Sequence, residues 1–266
     1  MGGPHALRWR RATFSGDEPR GVTCGIRAFG FALFALAIAM PLPARAEWRR
    51  NADVAFNTAY TLQEGTLTMG VLGPLDIGVT DTLQFGLHPI LLLVGKPSVA
   101  LRYRLTPVGS MTFALNAGAT WSFIQRVDAD GREADAGSRG TTGFPGTTQL
   151  TMLGTVELSP ELTLTVGAGL GADFLGDTFL RAYIPAQVGL HLRLGAGHLL
   201  MVQGLVQFTP VDGGLRRPAG QLMYGLSLTP LTQLALGVTI GPMPWQTTTG
   251  PTTIGVFPFA DIWFRF

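Results

Sequence analysis

From Leu67 to the end of the chain, apolar side chains recur at every second position, in runs separated by short polar or glycine-containing breaks. The early runs are Leu67, Met69, Val71; Leu75, Ile77, Val79; Leu83, Phe85, Leu87; and Val99, Leu101, Tyr103, Leu105. Odd positions from Met111 to Phe123 continue the pattern. Even positions then carry it through Leu150–Leu158, Leu162–Ala172, Leu180–Leu194, Leu200–Phe208, Leu222–Leu228 and Leu234–Ile240. The last run, Ile254, Val256, Pro258, Ala260, Ile262, Phe264 and Phe266, reaches the final residue. A period of two belongs to a β-strand with one apolar face, so the pattern predicts twelve strands. Ten is the lower count, because the first two runs are short against the roughly 9–11 residues that cross a bilayer and could form one bent strand. Pro185 and Pro258 fall inside runs; each lacks a ladder donor, so bulges are expected there.

The breaks carry their own signal. After even-numbered runs they are short: Thr80-Asp81-Thr82, Thr106 to Ser110, Ser159-Pro160-Glu161, Gly195 to His198 and Thr229 to Thr232. After odd-numbered runs they are longer, over 89–97, 124–146, 173–179, 209–219 and 241–252, with only Gly73-Pro74 tight. Alternation of short turns with long loops is the habit of a transmembrane up-and-down antiparallel β-barrel, whose short turns and both termini are periplasmic.

Composition removes the main competitor. The chain is 46% hydrophobic and only 14% charged, against about a quarter charged in soluble domains. No run of roughly 18 apolar residues offers a spanning helix. In lipid only helices and closed sheets satisfy every backbone group, which leaves an all-β barrel. The soluble alternative, a β-sandwich with a signal peptide, explains the alternation equally well but not the scarcity of charge.

One segment stands apart. Ala28 to Met40 is apolar, follows Arg8, Arg10, Arg11, Arg20 and Arg27, and precedes Ala44-Arg45-Ala46. That order describes a secretory signal peptide over residues 1–46, cleaved between Ala46 and Glu47. Its removal takes six of the 19 basic and two of the 17 acidic groups, leaving 13 and 15 and a formal charge of −2. The basic balance of the full chain therefore gives no reason to expect a nucleic-acid partner. The single cysteine, Cys24, leaves with the leader, so no disulfide framework is expected. Residues 47–64 lack a clean period and read as a periplasmic N-terminal arm or plug, ahead of a barrel over residues 65–266.

Assigning the apolar set outward puts Arg102, Arg104, Glu157, Arg181, Gln187, His191 and Arg193 in the lumen, with Asp76, Gln84, Asp173, Gln203, Asp261 and Trp263. Opposed charges there suit either a narrow pore for small polar solutes or a sealed, salt-bridged interior. Inward glycines at Gly167, Gly169, Gly189, Gly225 and Gly237 favour the sealed interior, since twelve strands lie between a filled barrel and an open channel. A barrel hydrolysing lipids or peptides is the third reading. His88, His191 and His198 share no spacing with a serine and a carboxylate, and no two lie at i, i+2 on one strand face as metal ligands would. The chain is therefore expected to be non-enzymatic, without cofactor or metal. Asp128, Asp130, Glu133 and Asp135 around Gly131 form an acidic loop that lacks the later glutamate of a calcium site; its charges suit divalent bridging to lipopolysaccharide.

Two stretches resemble known proteins. The terminal Asp261-Ile262-Trp263-Phe264-Arg265-Phe266 resembles the closing strand of bacterial outer-membrane β-barrels. Leu75 to Phe85, LDIGVTDTLQF, resembles a strand–turn–strand hairpin of porin-like outer-membrane proteins that mostly lack an assigned substrate, and Asn57 to Leu62 resembles a stretch of the same proteins. The resemblance implies a cell outer-membrane location among outer-membrane lipids and lipopolysaccharide. It also implies that Ile262, Phe264 and Phe266 act as the signal read by the barrel-assembly machinery. It names no solute.

Overall fold

The computed structural model describes residues 48, 53–124, 127–128, 142–176, 178–195, 197–210, 214–242 and 254–266. The leader, the cleavage position between Ala46 and Glu47, and Asp130, Glu133 and Asp135 of the acidic loop lie outside these residues.

The strands in chain order are β1 (Leu67–Gly70), β2 (Leu75–Thr80), β3 (Leu83–Leu87), β4 (Ser98–Arg104), β5 (Met111–Trp121), β6 (Val127–Asp128), β7 (Thr142–Gly143), β8 (Pro145–Glu157), β9 (Leu162–Leu175), β10 (Thr178–Arg193), β11 (His198–Thr209), β12 (Gly214–Thr229), β13 (Thr232–Pro242) and β14 (Ile254–Arg265). Twelve of them pair with their sequence neighbours, all antiparallel, and β1 pairs with β14 to close a barrel; β6 and β7 form a separate two-stranded ladder. A short helix, α1 (Pro89–Leu93), lies between β3 and β4. Twelve strands is the larger of the two expected counts, because Leu67–Gly70 pairs with β2 on one side and β14 on the other. Phe266 completes the closure: its N–H donates to the Leu67 carbonyl at 2.8 Å, and the Leu67 N–H donates back at 3.0 Å.

The outer surface is the apolar face of the alternation. Phe85, Leu101, Tyr103, Leu115, Leu150, Met152, Val166, Leu170, Val188, Leu190, Val202, Leu222, Ile240, Val256 and Ile262 are all exposed. The wall is packed by aromatic rings laid across cross-strand glycines. Trp121 covers Gly146, Phe113 covers Gly154 and Tyr183 covers Gly171, and each is the directly opposed pair. A Cβ at Gly171 would lie 2.3 Å from the Tyr183 ring, and one at Gly146 2.5 Å from that of Trp121. Rings placed this way bury the bare backbone that a glycine kink leaves open.

Neither expected proline bulge forms. The β13–β14 register runs without a shift from Thr232↔Phe264 to Pro242↔Ile254, straight through Val238↔Pro258. The β9–β10 ladder skips Ile184 and Pro185 but keeps its register, and the shift in β10 falls at Phe179/Arg181 instead. The expected loop over 173–179 is also shorter than its composition suggests. Strands β9 and β10 run to Leu175 and from Thr178, and Phe174 stacks on Trp121 (centroids 6.1 Å apart) and meets Phe179 edge-on at 5.9 Å.

Candidate functional site

The described part of the arm runs inside the barrel. It enters at the end where the short turns lie, reaches an apex at Phe56 and Asn57, and returns to feed β1. Asn57 has φ +54°, the left-handed conformation that asparagine tolerates better than most residues. The turn is pinned by Thr58, whose Oγ1 donates to the Val54 carbonyl at 2.6 Å and accepts from Tyr60 N–H at 3.2 Å.

Each segment of the arm is held by a different part of the wall. Trp48 packs with Val54 and Leu199 and lies over Gly225, where a Cβ would come within 2.7 Å of its ring. Phe56 meets Trp263 edge-on at 5.4 Å and joins a cluster of Met201, Met223, Ala235 and Phe259. Asn57 Nδ2 donates to Gln203 Oε1 at 2.6 Å. Ala59 N–H donates to Thr155 Oγ1 at 2.8 Å, Tyr60 Oη donates to Glu157 Oε1 at 2.9 Å, and Leu62 N–H donates to Gln84 Oε1 at 3.1 Å. The exit runs so close to β2 that a Cβ on Gly78 would sit 2.0 Å from the Gln63 carbonyl oxygen.

The sequence-derived lumen residues divide between two zones. At the short-turn end, Arg102 Nη1 donates to the carbonyls of Ala55 (2.5 Å) and Tyr60 (3.2 Å), and Arg193 Nη1 donates to the Trp48 carbonyl at 3.2 Å. Glu157 receives Tyr60 there, and Arg104 is half-buried two positions along β4 from Arg102. Burial first, then the hydrogen bond to Glu157 and its negative charge, push the Tyr60 hydroxyl well above the usual phenol range, so it stays a donor. Nearer the long loops, Arg181 Nε bonds Asp173 Oδ2 at 2.7 Å, with Asp173 only 1% exposed. Among the described residues, Gln149, Gln187, Gln203 and Gln221 add uncharged amides to this part of the inward face. His191 lies between the zones, 2% exposed, with neither ring nitrogen hydrogen-bonded among the described residues.

The three histidines do not converge. His198 Nδ1 lies 2.5 Å from Tyr224 Oη, and His88 caps α1 by accepting from Leu91 N–H at 3.4 Å. Among the described residues no three His, Cys, Asp or Glu side chains gather as a metal site. Between the arm and the β1, β13 and β14 wall lies a cavity of about 70 Å³, lined by Phe56, Asp76, Gln84, Met223, Trp263 and Arg265 among others. The arm's role as the occupant of the lumen had only a weak sequence signal: an aperiodic polar stretch placed directly before the first strand.

No protein-family model matches the sequence, and no curated protein matches it.

Proposed function

We propose that this chain is a non-enzymatic outer-membrane β-barrel whose lumen is sealed at the short-turn end by its own N-terminal arm. The membrane reading is supported by the apolar band, since soluble monomers rarely expose continuous apolar surface beyond a few hundred Å². The sealed state is carried by one observation: Arg102 reaches across the lumen to two arm carbonyls. Hydrogen bonds to a charged group contribute roughly 1.5–3 kcal/mol each, and withdrawing the arm would remove both, leaving the guanidinium the charge of Asp76. Both termini of the barrel sheet lie at that end, which on this reading is periplasmic.

The second reading, a narrow pore for small polar solutes gated by the arm, is favoured by the amide-lined half of the lumen. The separated histidines weigh against a lipid- or peptide-hydrolysing barrel. Single-channel recording in planar bilayers tests the choice. The mature chain is expected to give no conductance steps, and the Phe56→Asp variant, which drives a charge into the apolar seat of the arm, is expected to give them. Frequent openings from the unaltered mature chain would rule out the sealed reading in favour of the pore.

A further inference from the structure

Three adjacent strands place a histidine and two methionines in one layer of the lumen. His191 of β10 stands directly opposite Met201 of β11, and Met201 stands directly opposite Met223 of β12. Alternation turns all three inward, and they are 2%, 0% and 7% exposed. Directly opposed side chains have Cβ atoms about 4.5–5.5 Å apart. The wall of a closed barrel is concave, so inward side chains converge. His191 and Met223 are two strands, roughly 10 Å, apart at the wall. An imidazole, one bound ion and a thioether bridge that span, with the Met201 sulfur between them. Met69 and Met152, by contrast, are exposed on the outer face.

Packing against the arm accounts for the two methionines, which share a cluster with Phe56. It does not account for His191. Buried imidazole nitrogens are ordinarily hydrogen-bonded, and His191 has no well-formed hydrogen bond at either nitrogen. Its ring faces the Phe56 backbone of the arm. A metal-bound histidine uses its second nitrogen in this way, donating to a backbone carbonyl that fixes its tautomer and orientation. The other nitrogen is then left for an ion.

The surroundings suit an enclosed ion with one approach. Phe56 and Trp263 pack against the methionine pair from the end where the arm enters, and exclude water there. Toward the long loops, the next inward position on β10 is Gly189, opposite Gln203, which stands opposite Gln221. A Cβ on Gly189 would lie 3.5 Å from His191 Cε1, so the missing side chain leaves the ring edge open on that side. Two thioethers and an imidazole are a soft set that selects Cu(I) over harder divalent ions. The set is also neutral, and a single charge costs far less to bury against neutral ligands than a double one.

We propose that His191, Met201 and Met223 form a three-coordinate site for a soft monovalent metal ion, Cu(I), beside the apex of the arm. The site needs no second histidine, so histidine spacing along the sequence carries no sign of it. It goes beyond the sealed-barrel reading and holds whether or not the barrel conducts or lies in a membrane.

The mature chain has no cysteine, so no thiolate competes. The refolded mature chain in detergent, labelled with carbon-13 at its methionine methyls, is titrated with silver nitrate alone in chloride-free buffer, Ag(I) being the redox-inert probe. One equivalent is expected to shift the Met201 and Met223 methyls and the His191 ring protons, and to leave Met69 and Met152 in place. Zn(II) should shift none of them. In competition for Cu(I) against a chromophoric chelator, the volume-conserving Met201→Leu and Met223→Leu variants should each bind roughly tenfold or more weakly, with heat-dependent gel mobility confirming their fold. Shifts at Met69 and Met152 equal to those inside, no shift at Met201 and Met223, or unaltered affinity in the leucine variants would overturn the site. A Zn(II) response matching that of Ag(I) would overturn its preference for a soft monovalent ion. The methyl shifts are read on the unaltered chain, so they decide the question even where a variant fails to fold.

Discussion

The barrel is built from two sectors that stay closed by different means. In one, β8 to β13 are 11 to 16 residues long, and adjacent strands share ladders of up to 13 rungs. In the other, β1 to β4 are only 4 to 7 residues. Where the ladder is long, side chains are free to be glycine or amide on the inside. Where it is short, side chains and the arm take over: Asp261 holds the β1–β2 turn, Gln84 and Arg102 hold the arm, and Gly78 lets the arm lie against β2. Closure of a sheet is therefore not a matter of rungs alone. A wall with too few of them becomes dependent on what fills the lumen.

The sharpest way to break this dependence is at the arm's apex. Phe56→Ala removes a ring from the Met201, Met223, Phe259 and Trp263 cluster; because Phe56 is half-buried, the expected loss is near the low end of the Phe→Ala range, about 3 kcal/mol. Urea denaturation of the refolded barrel in detergent measures it. The short sector should open first, read as early loss of the slow exchange of Leu67 and Phe266 amides. Simultaneous loss across both sectors would mean that the arm supports the barrel uniformly and that the two sectors do not differ.

Next in size is a pair of matched glycine substitutions. Gly78→Ala puts a Cβ 2.0 Å from the Gln63 carbonyl oxygen and 2.9 Å from that of Leu62, and backbone cannot give way cheaply, so about 1–3 kcal/mol is lost. Gly204→Ala, in β11, meets only Val188 Cγ1 at 3.6 Å, an ordinary contact, and should change stability by less than about 0.5 kcal/mol. Equal effects at the two sites would show that the close approach of the arm to β2 carries no more of the stability than an open position in β11.

Much of the wall was legible in the sequence, because a period of two is local: each side chain declares its face by its neighbours. Phe85, Leu101, Leu150, Val202 and Ile262 fall where the alternation puts them. The arm was not legible in the same way. Its hydrogen bonds to Gln84, Arg102, Thr155, Glu157 and Gln203 span from 22 to 146 residues of sequence, and no local pattern encodes a partner so distant. Pro258 illustrates a subtler gap. Its position within a strand was evident, but whether its missing donor broke a ladder depended on which neighbour it faced, and that followed from where β1 stops.

Two buried polar groups on inward faces sharpen the comparison at finer scale. Asp261, 7% exposed on β14 where it meets the short sector, accepts the Leu72 N–H at 2.8 Å and so fixes the β1–β2 turn. Asp261→Asn keeps the volume but loses the charge on that bond, and about 1–2 kcal/mol should go with it. The fall should be accompanied by faster exchange of the Leu72 amide. Unchanged exchange at Leu72 would show that the turn is held by its backbone bonds alone.

His191 is the counterpart in the long sector, and the smallest effect belongs to it. It is 2% exposed, stands opposite Met201 and Thr163 in the flanking ladders, and faces the Phe56 backbone of the arm without a well-formed hydrogen bond at either nitrogen. A buried polar ring so poorly partnered opposes folding, so an apolar side chain of similar length should be tolerated or better. His191→Met is expected to stabilise by up to about 1 kcal/mol, whereas His191→Ala, which leaves a void beside Met201, should destabilise. If His191→Met instead costs as much as His191→Ala, the imidazole has polar work in the folded barrel. The long sector would then hold a polar contact at His191 in addition to its ladders and its contacts with the arm.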